Sequence, residues 1–125
     1  MTDSIRQQGD ILEAKKRDKT AGRHFIVYYE GYSEENFIGG MITHLEDKRN
    51  IPMNKSHFEL YDKNDNKYKI TFDNTNLVVA KLIKFESWGP FTKVGRLSQK
   101  GIEFVTENIG ELNSETFEEY KHRTK

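Results

Sequence analysis

The chain has 125 residues, enough for one domain with a real core and too few for two independently stable units. Its 20 basic and 20 acidic residues cancel, so no whole-molecule field draws nucleic acid or anionic lipid to it, and any such contact must be a local patch. Cysteine is absent, which excludes a disulfide framework, thiolate metal sites, redox motifs and a cysteine nucleophile.

Residues 1–8 are polar and are expected to form a flexible N-terminus; residues 9–125 form a single domain. The start lacks an apolar signal core, and no stretch approaches the roughly 20 apolar residues of a membrane span, so a soluble, cytoplasmic protein with no membrane partner is expected. Gly9-Asp10-Ile11-Leu12 reads as a turn and a short strand. Lys15 to Gly22 is a basic, mobile loop that leads into Arg23, and its Lys16, Arg17 and Lys19 are candidate RNA contacts.

His24 to Tyr29 is β-branched and aromatic and ends at Glu30-Gly31-Tyr32-Ser33, which predicts a largely buried strand with a turn behind it. Phe37 to Thr43 makes the next strand. Its Gly39-Gly40 pair has no side chain to pack and marks a bulge or sharp bend of the kind a small barrel needs at a corner. The alternation of Phe58 and Leu60, then Tyr68, Ile70 and Phe72, about a Lys63-Asn64-Asp65-Asn66 turn predicts a β-hairpin. Leu77 to Phe85 follows another turn and is a further strand.

After Ser98, a plausible N-cap, Ile102, Val105, Ile109 and Leu112 recur at helical spacing, and Ser114 to His122 has the pattern of a short second helix, amphipathic through Phe117 and Tyr120. The fold class expected is mainly β (α+β): a small SH3-like β-barrel of five or more antiparallel strands with a C-terminal helix.

The polar sets admit few chemistries. Asp62, Asn64, Asn66 and Asp73 imitate the spacing of a calcium-binding EF-hand loop, but Lys67 stands where that loop needs glycine and both flanks read as strands, so a polar turn is expected. His24, His44, His57 and His122 lack metal-motif spacing, and no metal or cofactor is expected. Asn54-Lys55-Ser56 is a chance sequon if the chain is not exported. No nucleophile elbow or phosphate-cradling glycine loop occurs, which disfavours acyl transfer and nucleoside triphosphate chemistry.

Arg23, at the mouth of the most apolar run, and Thr43-His44, closing the next, would meet at neighbouring strand ends if those runs pair. RNA cleavage needs a group to take the 2′-hydroxyl proton, one to protonate the leaving 5′-oxygen, and positive charge on the phosphorane. Arg23 can supply the charge in a bidentate fork, Thr43 can hydrogen-bond the phosphate, and His24 or His44 titrates in the useful range. The bland alternative is a surface arginine and a strand-end threonine. Trp88, beside Gly89-Pro90, could stack on an unpaired base or cap the core.

Gly9-Asp10-Ile11, Gly22-Arg23-His24-Phe25-Ile26-Val27, Met41-Ile42-Thr43-His44 and Val94-Gly95-Arg96-Leu97-Ser98 followed by the Ile102 to Ile109 helix are together similar to the PemK/MazF family of toxin endoribonucleases. The resemblance covers residues 9 to about 110. It implies an SH3-like barrel that cleaves single-stranded RNA without metal, leaves a cyclic phosphate, forms a homodimer and is neutralised by an antitoxin protein. The family's catalytic arginine and threonine fall on Arg23 and Thr43. His24 stands where the family has proline and His44 where it has serine, and the chain is neutral where the family is often basic. A non-catalytic SH3-like barrel that binds protein or nucleic acid is the alternative.

Overall fold

The computed structural model describes residues 6–14, 25–44, 49–69 and 72–124. Among them are seven strands, β1 (Asp10–Ala14), β2 (Phe25–Gly31), β3 (Asn36–Thr43), β4 (Asn50–Pro52), β5 (Asn76–Phe85), β6 (Phe91–Arg96) and β7 (Ser114–Glu115), and two helices, α1 (Gln99–Ile109) and α2 (Phe117–Arg123). The strand order is β4-β5-β3-β2-β1-β6 with every neighbour antiparallel, and β7 adds a short parallel pairing to β5. The mainly antiparallel, barrel-like α+β architecture expected from the sequence is present.

Curvature comes from three places where the ladder slips. The β3–β5 register shifts between Gly39 and Met41, the β2–β3 register between Tyr28 and Glu30, and the β1–β6 register between Ile11 and Leu12. A side chain at Gly39 would sit 2.7 Å from Ile26 Cγ2 and 3.0 Å from the Val27 carbonyl oxygen, so glycine there lets the neighbouring strand approach while the sheet bends. The curled sheet is closed by the segment after β4. Glu59 N–H donates to the Arg96 carbonyl at 2.9 Å, Ser98 N–H donates to the His57 carbonyl at 2.9 Å, and Phe58 bridges Leu97.

The core inside this curl holds Ile11, Val27, Ile38, Ile42, Leu77 and Leu97 from the sheet, sealed by Val105 and Ile109 of α1. Each such side chain, fully buried, contributes about 1.5–3 kcal/mol by leaving water. Helix α1 starts where Ser98 Oγ accepts the Gly101 N–H at 3.1 Å, while the same hydroxyl donates to the Ser56 carbonyl at 2.6 Å. Gly101, Val105 and Ile109, four residues apart, form its buried stripe. Helix α2 is fixed by a capping box, with Thr116 Oγ1 accepting the Glu119 N–H and Glu119 Oε1 accepting the Thr116 N–H. It lays Phe117 and Tyr120 on the outer face of the sheet, over Met41, Val78, Ala80 and Leu82.

The Phe58 to Phe72 region pairs about its turn over a shorter stretch than the alternation predicts: among the described residues Tyr61 bridges Lys67, Asp62 N–H donates to the Asn66 carbonyl at 2.8 Å and Tyr68 N–H to the Leu60 carbonyl at 3.0 Å, while the Phe58 and Glu59 N–H groups go to the Lys55 and Arg96 carbonyls. Ile70 of the expected hairpin lies outside the described residues. Strands β4 and β6 were not among the elements expected. Of the N-terminal segment expected to be flexible, residues 1–5 lie outside the described residues, Arg6 pairs with Glu86 at 2.7 Å over the rings of Phe37 and Phe91, and Gln8 donates to the Tyr29 carbonyl. No helix among the described residues is long and apolar enough to cross a membrane.

Candidate functional site

Thr43 is the last residue of β3, paired with Asn76 of β5, and is 7% exposed. The first residue of β2, Phe25, pairs with Ile42. The start of β2 and the end of β3 therefore share one end of the sheet, as the convergence of the two runs requires. Arg23 and His24, which precede β2, and the basic-loop residues Lys16, Arg17 and Lys19 lie outside the described residues.

His44 follows Thr43 into solvent, and its Nδ1 lies 3.3 Å from the Asn74 carbonyl oxygen. A carbonyl only accepts, so that contact favours the ring form with its hydrogen on Nδ1. Nε2 of the neutral ring is then left as a proton acceptor. The positive backbone φ of 55° at Asn74 turns the chain beneath the imidazole, in a conformation asparagine tolerates better than most residues.

Trp88 is not in this neighbourhood. Its backbone ends the short 3-10 turn Glu86–Trp88, directly after β5, where Glu86 N–H donates to the Glu35 carbonyl. Phe85 pairs with Asn36, the first residue of β3, whereas Thr43 is the last of its eight residues. At about 3.3 Å per residue the two ends of β3 are up to about 23 Å apart. The strand end at Thr43 and the Trp88 turn are thus opposite ends of the β3–β5 pair.

The fold also builds a polar cluster that sequence reasoning missed. Asp10, 3% exposed, accepts from Arg96 Nη1 at 2.6 Å and from the Gln7 N–H at 2.9 Å, with Lys93 Nζ at 3.3 Å. Above it opens a cleft of about 490 Å³ lined by Lys93, Arg96, Glu59, Tyr61, Lys63 and Tyr68, among others. Burial, then the nearby Asp62 and Asp10 carboxylates, push the Tyr68 hydroxyl up, so it stays a donor at neutral pH. Asp10 and Arg96 are 86 residues apart, and no local pattern announces their meeting.

The other motif residues have structural partners. Asp62 Oδ1 accepts the N–H groups of Asn64 at 2.8 Å and Asn66 at 3.0 Å, which makes the EF-hand imitation a self-capped polar turn. Asn54, of the sequon, caps the 3-10 turn Lys55–His57. His57 is buried, stacks on Phe104 with ring centroids 4.4 Å apart, and accepts the Asn54 N–H on Nδ1 at 3.1 Å. Burial, with Lys100 adding to it, pulls the His57 pKa down from 6.5. His122 sits on α2, exposed.

Comparison of the chain with protein-family models, with curated proteins and with solved structures finds no match.

Proposed function

We infer that this chain is a toxin-like, metal-independent endoribonuclease that cleaves single-stranded RNA, of the kind its PemK/MazF-like motifs imply. The observation that supports the reading is the register Phe25↔Ile42, which sets the first residue of β2 beside the end of β3 that carries Thr43 and His44. In this reading the substrate's 2′-hydroxyl attacks the adjacent phosphorus, the 5′-oxygen leaves, and the products are a 2′,3′-cyclic phosphate and a 5′-hydroxyl. Arg23 stabilises the phosphorane charge, Thr43 positions the phosphate, and His44 or His24 takes or returns the proton. His44 is exposed, and a hydrogen on Nδ1 shared with the Asn74 carbonyl would leave Nε2 to take part in that transfer. The partners that accompany this reading are single-stranded RNA, an antitoxin protein and a second copy of the chain.

The burial of Thr43 favours a second reading, a non-catalytic barrel that binds protein or nucleic acid, because a threonine that touches phosphate needs a path to it. The two part on chemistry. Purified protein incubated with a mixed single-stranded RNA pool in EDTA should generate fragments ending in cyclic phosphate. An intact pool, with Arg23→Ala indistinguishable from wild type, rejects catalysis.

A further inference from the structure

Two cavities lie between the turn at Asn74 and the Asp10 cluster. The Asn74 carbonyl under the His44 ring is next to Asp73, and Asp73 and Phe72 line a second cavity of about 270 Å³. That cavity and the 490 Å³ cleft share Glu59 and Tyr68 and so adjoin as two parts of a groove. Its apolar wall is the pair Phe58 and Phe72, stacked with centroids 5.0 Å apart, and Phe72 also meets Phe25 of β2 edge-on at 5.4 Å.

Charge along the groove differs from charge over the chain. Five cations, Lys55, Lys63, Lys67, Lys93 and Arg96, line it against the three carboxylates Glu59, Asp62 and Asp73, with Asp10 beneath paired to Lys93 and Arg96, which leaves a small positive excess carried by the three other lysines in a protein whose formal net charge is zero. Asp62 already serves two backbone N–H groups of its own turn. Leu60, 57% exposed, lines the smaller cavity and Tyr61, 54% exposed, the larger, two of the three large apolar side chains most exposed among the described residues. An accessible tyrosine ring among lysines offers a base a flat surface and its phosphates a counter-charge. A carboxylate shared by both cavities can accept from a base's exocyclic amine.

We propose that this groove, from Phe72 over Tyr61 to Lys93 and Arg96, holds unpaired nucleotides of an RNA strand flanking the phosphate at His44, with a base stacked on Tyr61 and phosphates on Lys63 and Lys67. The proposal rests on RNA being the substrate, and it assigns a binding role to residues that take no part in the chemistry. An acidic peptide is the competing occupant; the pairing of exposed tyrosine, lysines and an acceptor carboxylate favours nucleotides.

The test uses a fluorescein-labelled, unstructured 12-mer of 2′-O-methyl RNA, which lacks the attacking hydroxyl, with binding read by anisotropy. Wild type should bind with salt-dependent affinity, Tyr61→Ala should weaken binding about tenfold, and Lys63→Ala with Lys67→Ala should lower the salt slope by about 0.7 per lysine removed. These variants lie on an exposed turn, and unchanged circular dichroism and melting confirm their fold. Binding lost on these changes upholds the groove whether or not ordinary RNA is cut, so failure of catalysis is seen separately. Absence of RNA binding by wild type, affinities within twofold of wild type for both variants, or selective binding of a labelled polyglutamate peptide in place of the RNA overturns it.

Discussion

Replacing Gly101 by alanine should destabilise the protein although it puts a better helix former in a helix. The alanine Cβ would lie 2.1 Å from the His57 carbonyl oxygen, 2.9 Å from its carbon and 3.1 Å from Leu97 Cβ. That carbonyl belongs to backbone already committed to the barrel closure through Ser98 N–H, so it cannot swing aside as a side-chain tip would. Overpacking a tight contact costs typically about 1–3 kcal/mol, and a backbone partner puts this case at the upper end. The helix-propensity gain of about 1 kcal/mol offsets part, leaving a net loss of about 2 kcal/mol. At a urea dependence of about 1.5 kcal/mol per molar, the unfolding midpoint should fall by more than 1 M. Glu107→Ala, exposed on the same helix, serves as control and should stay within about 0.5 kcal/mol of wild type. A Gly101→Ala protein as stable as wild type, the result propensity alone demands, would refute the close approach of α1 to the closing segment.

Removing the Asp10 carboxylate leaves Arg96 and Lys93 facing each other. Because both cations are partly exposed, Asp10→Ala should cost about 2–3 kcal/mol and Asp10→Asn less, read by urea unfolding; equal stability of all three would show the cluster to be passive. The lowered pKa of His57 means the unfolded chain takes up the proton first. Its share of stability is therefore full above about pH 6.5 and declines as pH falls from there through the lowered folded value. His57→Gln should flatten the loss of stability between pH 7 and 5, and a variant as acid-sensitive as wild type would assign that loss to other groups.

The sequence was most informative where pattern and burial coincide. The apolar run at Phe25–Gly31, the glycine pair in β3, the run in β5 and the capped stripe of α1 all sit where their periodicity places them. It misled where backbone donors had a better partner than the local one. The alternation of Phe58, Leu60, Tyr68 and Phe72 fits a long hairpin, yet among the described residues its pairing runs only from Tyr61–Lys67 to the Tyr68 N–H on the Leu60 carbonyl, since Glu59 N–H goes to Arg96, and Leu60 is exposed. Strand β6 was hidden because Gly89-Pro90 and the Gly95-Arg96 pair look like turn residues, and its pairing with β1 joins residues some eighty positions apart. Strand β4 is three residues ending in Pro52, too short to show a period.

The candidate site was legible only in part for the same reason. Thr43-His44 could be placed at a strand end from local pattern, and the register with β2 follows once the two runs pair. The burial of Thr43 beside Asn76 and the ring contact of His44 with Asn74 depend on where β5 docks, which a single sequence does not encode locally. The Asp10–Arg96–Lys93 cluster is a product of the β1–β6 pairing, which sets Asp10 opposite Arg96 across most of the chain.

The most direct test of the central claim is the single-turnover rate of cleavage of a defined single-stranded RNA in EDTA by wild type and Arg23→Ala. The account predicts that wild type cuts it to a cyclic phosphate end and that the variant, folded and still able to bind the 2′-O-methyl strand, is slower by about 100-fold or more. Equal rates for the two proteins, or cleavage that appears only with added divalent metal, would contradict it.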